Sequence, residues 1–301
     1  MMNFGGLDGQ YASLEGADFV VIPVPYDLTS SYEPGSRRGP AAMLDASVQL
    51  ELYDEELCRE TFRAGIHTSP FVEPDARGPE QMVDKIHRAV SGFAALDKIP
   101  VILGGEHTLT IGAVRAMKEQ YPGISVLQFD AHADMRDTYQ ESPYSHACVG
   151  RRIGEICPLV QAGVRSMSAE CAAFIDAKGI RVCPPGIGKD SETWRDIICE
   201  HLTDDVYVTI DLDALDPSIM PATGTPEPGG LSWTEILSLI RTVTERGTVR
   251  GFDIVELAPI PGMIAPDFTA AKLAYRIMGY IDRRYPRGAD RQRRRDNGVT
   301  R

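Results

Sequence analysis

Four short stretches of this 301-residue chain carry acids and histidines at close spacing. They are Gly104-Gly-Glu-His107, Asp130-Ala-His-Ala-Asp134, Asp211-Leu-Asp213, and Glu256 behind Val255. In extended backbone, residues i, i+2 and i+4 point to one side, so Asp130, His132 and Asp134 converge, as do Asp211 and Asp213. Carboxylates packed this closely repel one another unless a cation lies among them. Four Asp and two His suffice for two divalent metals, and oxygen-rich ligation with imidazole and no thiolate suits Mn²⁺ or Mg²⁺ rather than a structural Zn²⁺. Alone, an Asp-x-Asp after a strand is ordinarily a cap or turn former. The argument for a metal site rests on the combination at several strand ends.

Each cluster follows an apolar run. Residues 18–24, 99–103, 124–129, 206–210 and 249–255 are continuous enough to be strands buried on both faces, and 159–164 and 180–183 are shorter candidates. Between them, Met82, Ile86, Val90 and Phe93 share one helical face, as do Ile236, Leu239, Ile240 and Val243. Ser232-Trp-Thr-Glu235 has the form of a capping box ahead of the second helix, and Leu273, Ile277, Met278 and Ile281 indicate a last one. Alternating strands and helices predict an α/β fold of three layers, α/β/α, around a mainly parallel sheet. Ligands of such sheets collect beyond the carboxyl ends of the strands, where the clusters lie. With no interior linker or repeat, one domain is expected over residues 1–281, followed by a flexible Arg-rich tail over 282–301.

Composition narrows the function classes. The 31 Lys+Arg against 43 Asp+Glu make a formal charge of −12. The tail holds eight Arg and three Asp, so the rest of the chain carries −17, which argues against a nucleic-acid partner. No apolar run reaches the length of a membrane span and no secretory signal is recognisable, so a cytoplasmic protein without a membrane partner is expected. The six cysteines show no C-x-x-C spacing and read as reduced thiols.

The chain resembles the ureohydrolase family of arginases, agmatinases and their relatives, most of all agmatinase. The matching residues are Gly104-Gly-Glu-His107, Phe129-Asp-Ala-His-Ala-Asp134, Ser145-His146, Thr209-Ile-Asp-Leu-Asp-Ala-Leu-Asp-Pro217, Thr223-Gly-Thr-Pro-Glu-Pro-Gly-Gly-Leu231 and Gly251-Phe-Asp-Ile-Val-Glu256. Pro23-Val-Pro-Tyr-Asp27 with Thr29-Ser-Ser-Tyr-Glu-Pro-Gly35 is similar to the family's first loop. The resemblance spans roughly residues 19–280. It implies two Mn²⁺ per subunit bridged by Asp130 and Asp211, with His107 and Asp134 completing one set and His132 and Asp213 the other. It implies attack on a guanidino group by a metal-bridging hydroxide, releasing urea and an amine. Glu256 would hold the guanidinium by two parallel N–H bonds, Asp134 would transfer a proton to the leaving amine, and His146 would contact substrate and shuttle protons to solvent. A homo-oligomer, trimer or hexamer, is also implied.

Agmatine, giving putrescine for polyamine biosynthesis, is the first expectation for the substrate. The stretch from Arg136 to His146 lacks the Asn that holds an α-carboxylate in arginase-like members, and Asp137 and Glu141 favour a cationic tail. Arg136, Arg151 and Arg152 point instead toward an acid such as 4-guanidinobutyrate. 3-Guanidinopropionate, arginine, formiminoglutamate and a non-catalytic guanidino-binding subunit stand as alternatives. Asp253 is expected to support a ligand histidine, Met220 to fill the core or reshape the pocket wall, and Cys148 to be a small buried residue.

Overall fold

The five long apolar runs are all strands. The computed structural model describes residues 2–185 and 191–282, so the expectation for the Arg-rich tail beyond Asp282 lies outside the described residues. In chain order the elements begin with β1 (Phe19–Val24), α1 (Gly39–Ser47), β2 (Tyr53–Asp54), β3 (Arg59–Glu60) and β4 (Ile66–Thr68). Then come α2 (Pro79–Ala94), β5 (Ile99–Gly104), α3 (Leu109–Gln120), β6 (Ser125–Phe129), α4 (Val149–Gly154) and β7 (Leu159–Ala162). The chain continues through α5 (Ala169–Lys178), β8 (Arg181–Cys183), α6 (Ser191–His201), β9 (Asp205–Asp211), α7 (Trp233–Arg246), β10 (Thr248–Val255) and α8 (Ala265–Ile281).

Eight strands form one sheet in the order β4-β1-β5-β10-β9-β6-β7-β8, every neighbouring pair parallel, while β2 and β3 make a separate antiparallel ribbon. The alternation of side chains along each strand divides the core in two. Val20, Ile22, Ile102 and Val126 pack under α2 and α3 with Met82, Ile86 and Val114. On the opposite face, Val21, Leu103, Val208 and Phe252 meet Leu44 of α1, Ile240 of α7 and Ile277 of α8. This is the three-layer arrangement the alternation predicts. Short β4 was not legible as a strand, having only three residues with the polar His67 in the middle.

The capping box forms as expected: Glu235 donates its N–H to Ser232 Oγ at 3.3 Å, and Ser232 donates its own to Glu235 Oε2 at 2.8 Å. No described helix is long and apolar enough to cross a membrane. The sheet order is what positions the site. It lays the carboxyl ends of β5, β10, β9 and β6 side by side, so four clusters far apart in sequence open onto one crevice.

Candidate active site

Each site residue leaves its strand by a specific local device. After β5, Gly105 and Glu106 continue the pairing with the chain beyond β1, donating to Val24 O at 2.9 Å and Tyr26 O at 2.8 Å. A Cβ on Gly105 would lie 2.0 Å from Tyr26 O, so only glycine fits. This approach delivers His107 into the crevice. Extended backbone carries the other two clusters only in part: Asp211 closes β9 and His132 bridges Ser166 in parallel, but a short 3-10 turn follows Asp211 and Asp134 sits at positive φ. Two carboxylates cap their own turns: Asp130 Oδ1 accepts the N–H of His132 at 2.7 Å and Asp211 Oδ1 accepts that of Asp213 at 2.9 Å. Asp213 Oδ1 instead accepts the N–H of Ala131 at 2.9 Å and ties the two clusters together. Asp134 and Glu256 both sit at positive φ, 52° and 66°, where non-glycine backbone is strained and is held only by its surroundings.

The side chains converge as the spacing predicts. His107 Nδ1 lies 3.2 Å from Asp130 Oδ2 and 3.4 Å from oxygens of both Asp134 and Asp211. His132 Nδ1 lies 2.9 Å from Asp213 Oδ2 and 3.7 Å from Asp130 Oδ1. Two groups thus have all their donor atoms within 4.8 Å of one another: His107, Asp130 and Asp211, and Asp130, His132 and Asp213. Asp130 belongs to both.

The donor set fits divalent cations. His107 Nδ1 is fully buried among three carboxylates yet aligned with none for a hydrogen bond, as a lone pair meant for a metal would be. Its other nitrogen, Nε2, is 2.9 Å from Thr209 Oγ1, which donates to Asp253 Oδ1 at 2.6 Å. Asp253 therefore supports the histidine through Thr209 rather than directly, and also accepts from Tyr207 and Thr110 at 2.8 and 3.0 Å. Such outer partners fix the ring so that the ligating nitrogen faces inward.

The electrostatics point the same way. Burial and the facing Asp134 and Asp213 push the Asp130 carboxyl up to about 7. Burial, with Asp213 and Asp130 nearby, holds Asp211 well above the usual carboxylate range. Burial opposes charge on His132, but Asp213 and Asp130 outweigh it and raise the ring to about 11. Burial likewise opposes charge on His107, which its three carboxylates hold well above a normal histidine. Protons thus collect where positive charge is required, the expected behaviour of a cation site holding only protein.

A cavity of about 310 Å³ opens over the clusters, with His132, Asp134, Asp211, Asp213 and Glu256 at its floor. His107 and Asp130 lie beneath, shut off from solvent. Glu256 Oε1 accepts the backbone N–H of His107 at 2.7 Å, which anchors the carboxylate beside the cluster with Oε2 left for another donor. His146 forms part of the wall, and burial holds its imidazole below the usual value.

A family model described as the arginase family matches residues 17–279. The chain belongs to this family. The chain is 40% identical over 279 residues to the N(1)-aminopropylagmatine ureohydrolase of Synechocystis sp., covering 89% of this chain and 90% of that protein. It is 35% identical over 272 residues to the agmatinase of Pyrococcus horikoshii, covering 88% and 93%. The solved agmatine ureohydrolase of Thermoplasma volcanium superposes with a TM-score of 0.84 at 30% identity, covering 94% of each chain. The protein is a ureohydrolase-type hydrolase, and the two groups sharing Asp130 lie in the crevice of its arginase-type fold.

In this arginase-family enzyme the residues weighed for tail recognition are arranged differently from what the sequence suggested. Asp137 is held by Arg152 at 2.5 Å and faces Arg151 at 3.7 Å, while Arg151 also binds Glu155 at 2.9 Å. None of these side chains, nor Glu141, lines the cavity, so Asp137, Arg151 and Arg152 offset one another outside it. The charged side chains of the outer wall are Glu33 and Arg136, the latter over the Tyr139 ring at 5.2 Å. Ser31, Met167 and Thr225 also contribute to the cavity. No motif signal marked Met167. Met220 is fully buried in the core and away from the cavity. Cys148 is fully buried, and burial raises its thiol to about 12, so it is an inert apolar residue.

Proposed function

We propose that this ureohydrolase uses two Mn²⁺, held by His107, Asp130, His132, Asp134, Asp211 and Asp213, to hydrolyse a terminal guanidino group carried on an aliphatic amine. The substrates are agmatine and its N1-aminopropyl derivative. The observation that carries the reading is the pair of donor groups sharing Asp130, with the unpartnered Nδ1 of His107 aimed among the carboxylates. When bound, the two cations supply Lewis acidity and a water acidic enough to attack at neutral pH.

The chain's own residues do the rest. Glu256, fixed by the His107 N–H, accepts guanidinium N–H bonds and orients the planar group over the cluster. Asp134 passes a proton to the departing nitrogen, without which an amine is a poor leaving group. His146, on the cavity wall, exchanges that proton with solvent. Water is consumed, the C–N bond to the alkyl amine breaks, and urea and the free amine leave.

A cationic tail is supported by Glu33, which presents a carboxylate at the cavity wall. Of the three arginines that favoured an acidic tail, Arg151 and Arg152 are paired outside the cavity, and Arg136 stands at its wall over the Tyr139 ring. The aminopropyl derivative is favoured by the 40% identity to a relative named for it. A trimeric or hexameric assembly belongs to the same proposal.

The test is urea release by Mn²⁺-loaded protein from agmatine, N1-aminopropylagmatine, 4-guanidinobutyrate, 3-guanidinopropionate, arginine and formiminoglutamate. The two cationic-tailed compounds are expected to exceed the carboxylates in kcat/KM. Faster turnover of any carboxylate would reject the substrate reading, and no urea from any compound would reject the activity.

A further inference from the structure

The loop following β1 is fastened at both ends and lies against the histidine assigned to proton transfer. Its far end is secured by Asp27, whose Oδ2 accepts the N–H groups of Gly35 and Arg37 at 3.0 and 3.2 Å. At its near end, Thr29 donates its N–H to Glu106 Oε2 at 2.6 Å and shares a hydrogen bond with Glu106 Oε1 through its hydroxyl at 3.0 Å. Glu106 is fully buried directly behind His107, so Thr29 is tied to the interior rather than to a mobile surface. Thr29 Oγ1 and Glu106 Oε1 stay bonded whether or not the carboxyl carries a proton.

The same hydroxyl holds His146 twice. Thr29 Oγ1 accepts the backbone N–H of His146 at 3.0 Å and lies 3.3 Å from its ring Nδ1. Ser145 Oγ is the other neighbour of Nδ1, at 3.4 Å and also engaged by the N–H of Ala147. Nε2 faces Ser31 Oγ at 3.3 Å on the cavity side. With Nδ1 fastened to the loop, Nε2 is the nitrogen that meets the cavity.

We propose that Thr29 is the positioning residue of the proton-transfer histidine: its hydroxyl, anchored on Glu106, seats the His146 backbone and ring so that Nε2 faces the reacting group. The inference rests on the proposed function for the role of His146, while the seat itself is a property of the fold. Thr29 is not among the residues lining the cavity, so its effect runs through His146. Replacing the hydroxyl by a methyl of similar shape, Thr29→Val, removes the nearer partner of Nδ1 and the acceptor of the His146 N–H, leaving the ring only the longer Ser145 and Ser31 contacts. Losing orientation at a group whose proton transfer contributes ~10²- to 10⁴-fold is expected to lower kcat by about tenfold or more, with KM within about twofold because Glu256 still holds the guanidinium. Thr29→Ser keeps the hydroxyl and is expected to keep at least about half of kcat.

Two measurements test this. The first is a double-mutant cycle: in a His146→Ala background Thr29→Val is expected to cost nothing further, since two residues acting through one group are not additive. Additive losses, or a T29S enzyme as slow as H146A, would overturn the proposal, and the serine arm decides it even if T29V does not fold. The second needs no turnover. In ¹⁵N-histidine-labelled protein the His146 ring signals, assigned by their loss in H146A, are expected to shift and broaden in T29V and to stay in place in T29S. Unchanged ring signals in folded T29V would refute the seat. If they move but the wild-type protein releases no urea, the functional assignment fails and the seat stands.

Discussion

Replacing Glu256 by glutamine separates substrate binding from metal binding. The carboxylate uses Oε1 to accept the His107 N–H at 2.7 Å, and an amide oxygen accepts it equally well, so neither the His107 backbone nor the cluster is disturbed. Glutamine also meets the positive φ of 66° at the same cost as glutamate. What is lost is the negative charge facing the guanidinium. Removing one partner of a buried ion pair costs ~3–5 kcal/mol, or ~10²- to 10⁴-fold in rate. With Oε1 already committed to His107, one oxygen carries most of the contact, which places the expected loss in kcat/KM at the lower end, about 10²- to 10³-fold. The assay is urea release under kcat/KM conditions, with metal content measured by inductively coupled plasma mass spectrometry on the same sample. Two metals per subunit should be retained. A Glu256→Gln enzyme within threefold of wild type would show that another group holds the substrate, and loss of a metal would show that Glu256 is part of the metal set.

Asp130→Asn should abolish binuclear loading, because Asp130 alone belongs to both donor groups; unchanged two-metal stoichiometry would contradict the assignment. Thr209→Val removes the partner of His107 Nε2 and should weaken metal affinity by ~10- to 100-fold, read by metal titration with competing chelator. The metal-free protein should lose thermal stability as pH rises from 5 to 10. The Asp130 carboxyl, raised to about 7, contributes stability at low pH that is lost as pH climbs through 7. His132, raised to about 11, contributes stability that is complete below its unfolded value and lost as pH rises toward 11. Both slopes share a sign, and saturating Mn²⁺ should flatten the curve. A melting temperature of chelator-treated protein that rises over this range would refute the electrostatic account.

The strands that carry the site were legible because buried parallel strands are apolar along their whole length, and the clusters announce themselves where the apolar runs stop. β1, β5, β6, β9 and β10 follow this rule. β4 does not, since its pairing to β1 comes from tertiary context and not from its own three residues. Convergence of Asp130 with His132 and of Asp211 with Asp213 was expected from extended backbone, and the structure adds carboxylates that cap the turns leaving the strands. In the stretch from Arg136 to Arg152, Asp137, Arg151 and Arg152 pair with one another outside the cavity, a contact that depends on α4 folding back toward the loop, while Arg136 reaches the cavity wall.

By itself, the sequence determined the chemistry available: carboxylate and imidazole donors at strand ends in a pattern that only cations neutralise, and a fold in which strand ends collect ligands. Residue type and local period carry that information, since both are properties of short segments. Only the tertiary structure decided which strand ends are neighbours, that Asp130 is shared between two donor groups, that Asp253 reaches His107 through Thr209, and that Thr29 and Glu106 stand behind His146. These contacts join residues far apart in the chain, as Thr29 and His146 are at 117 positions. They exist because strand order and helix packing are selected by burial over the whole molecule, which no local segment encodes.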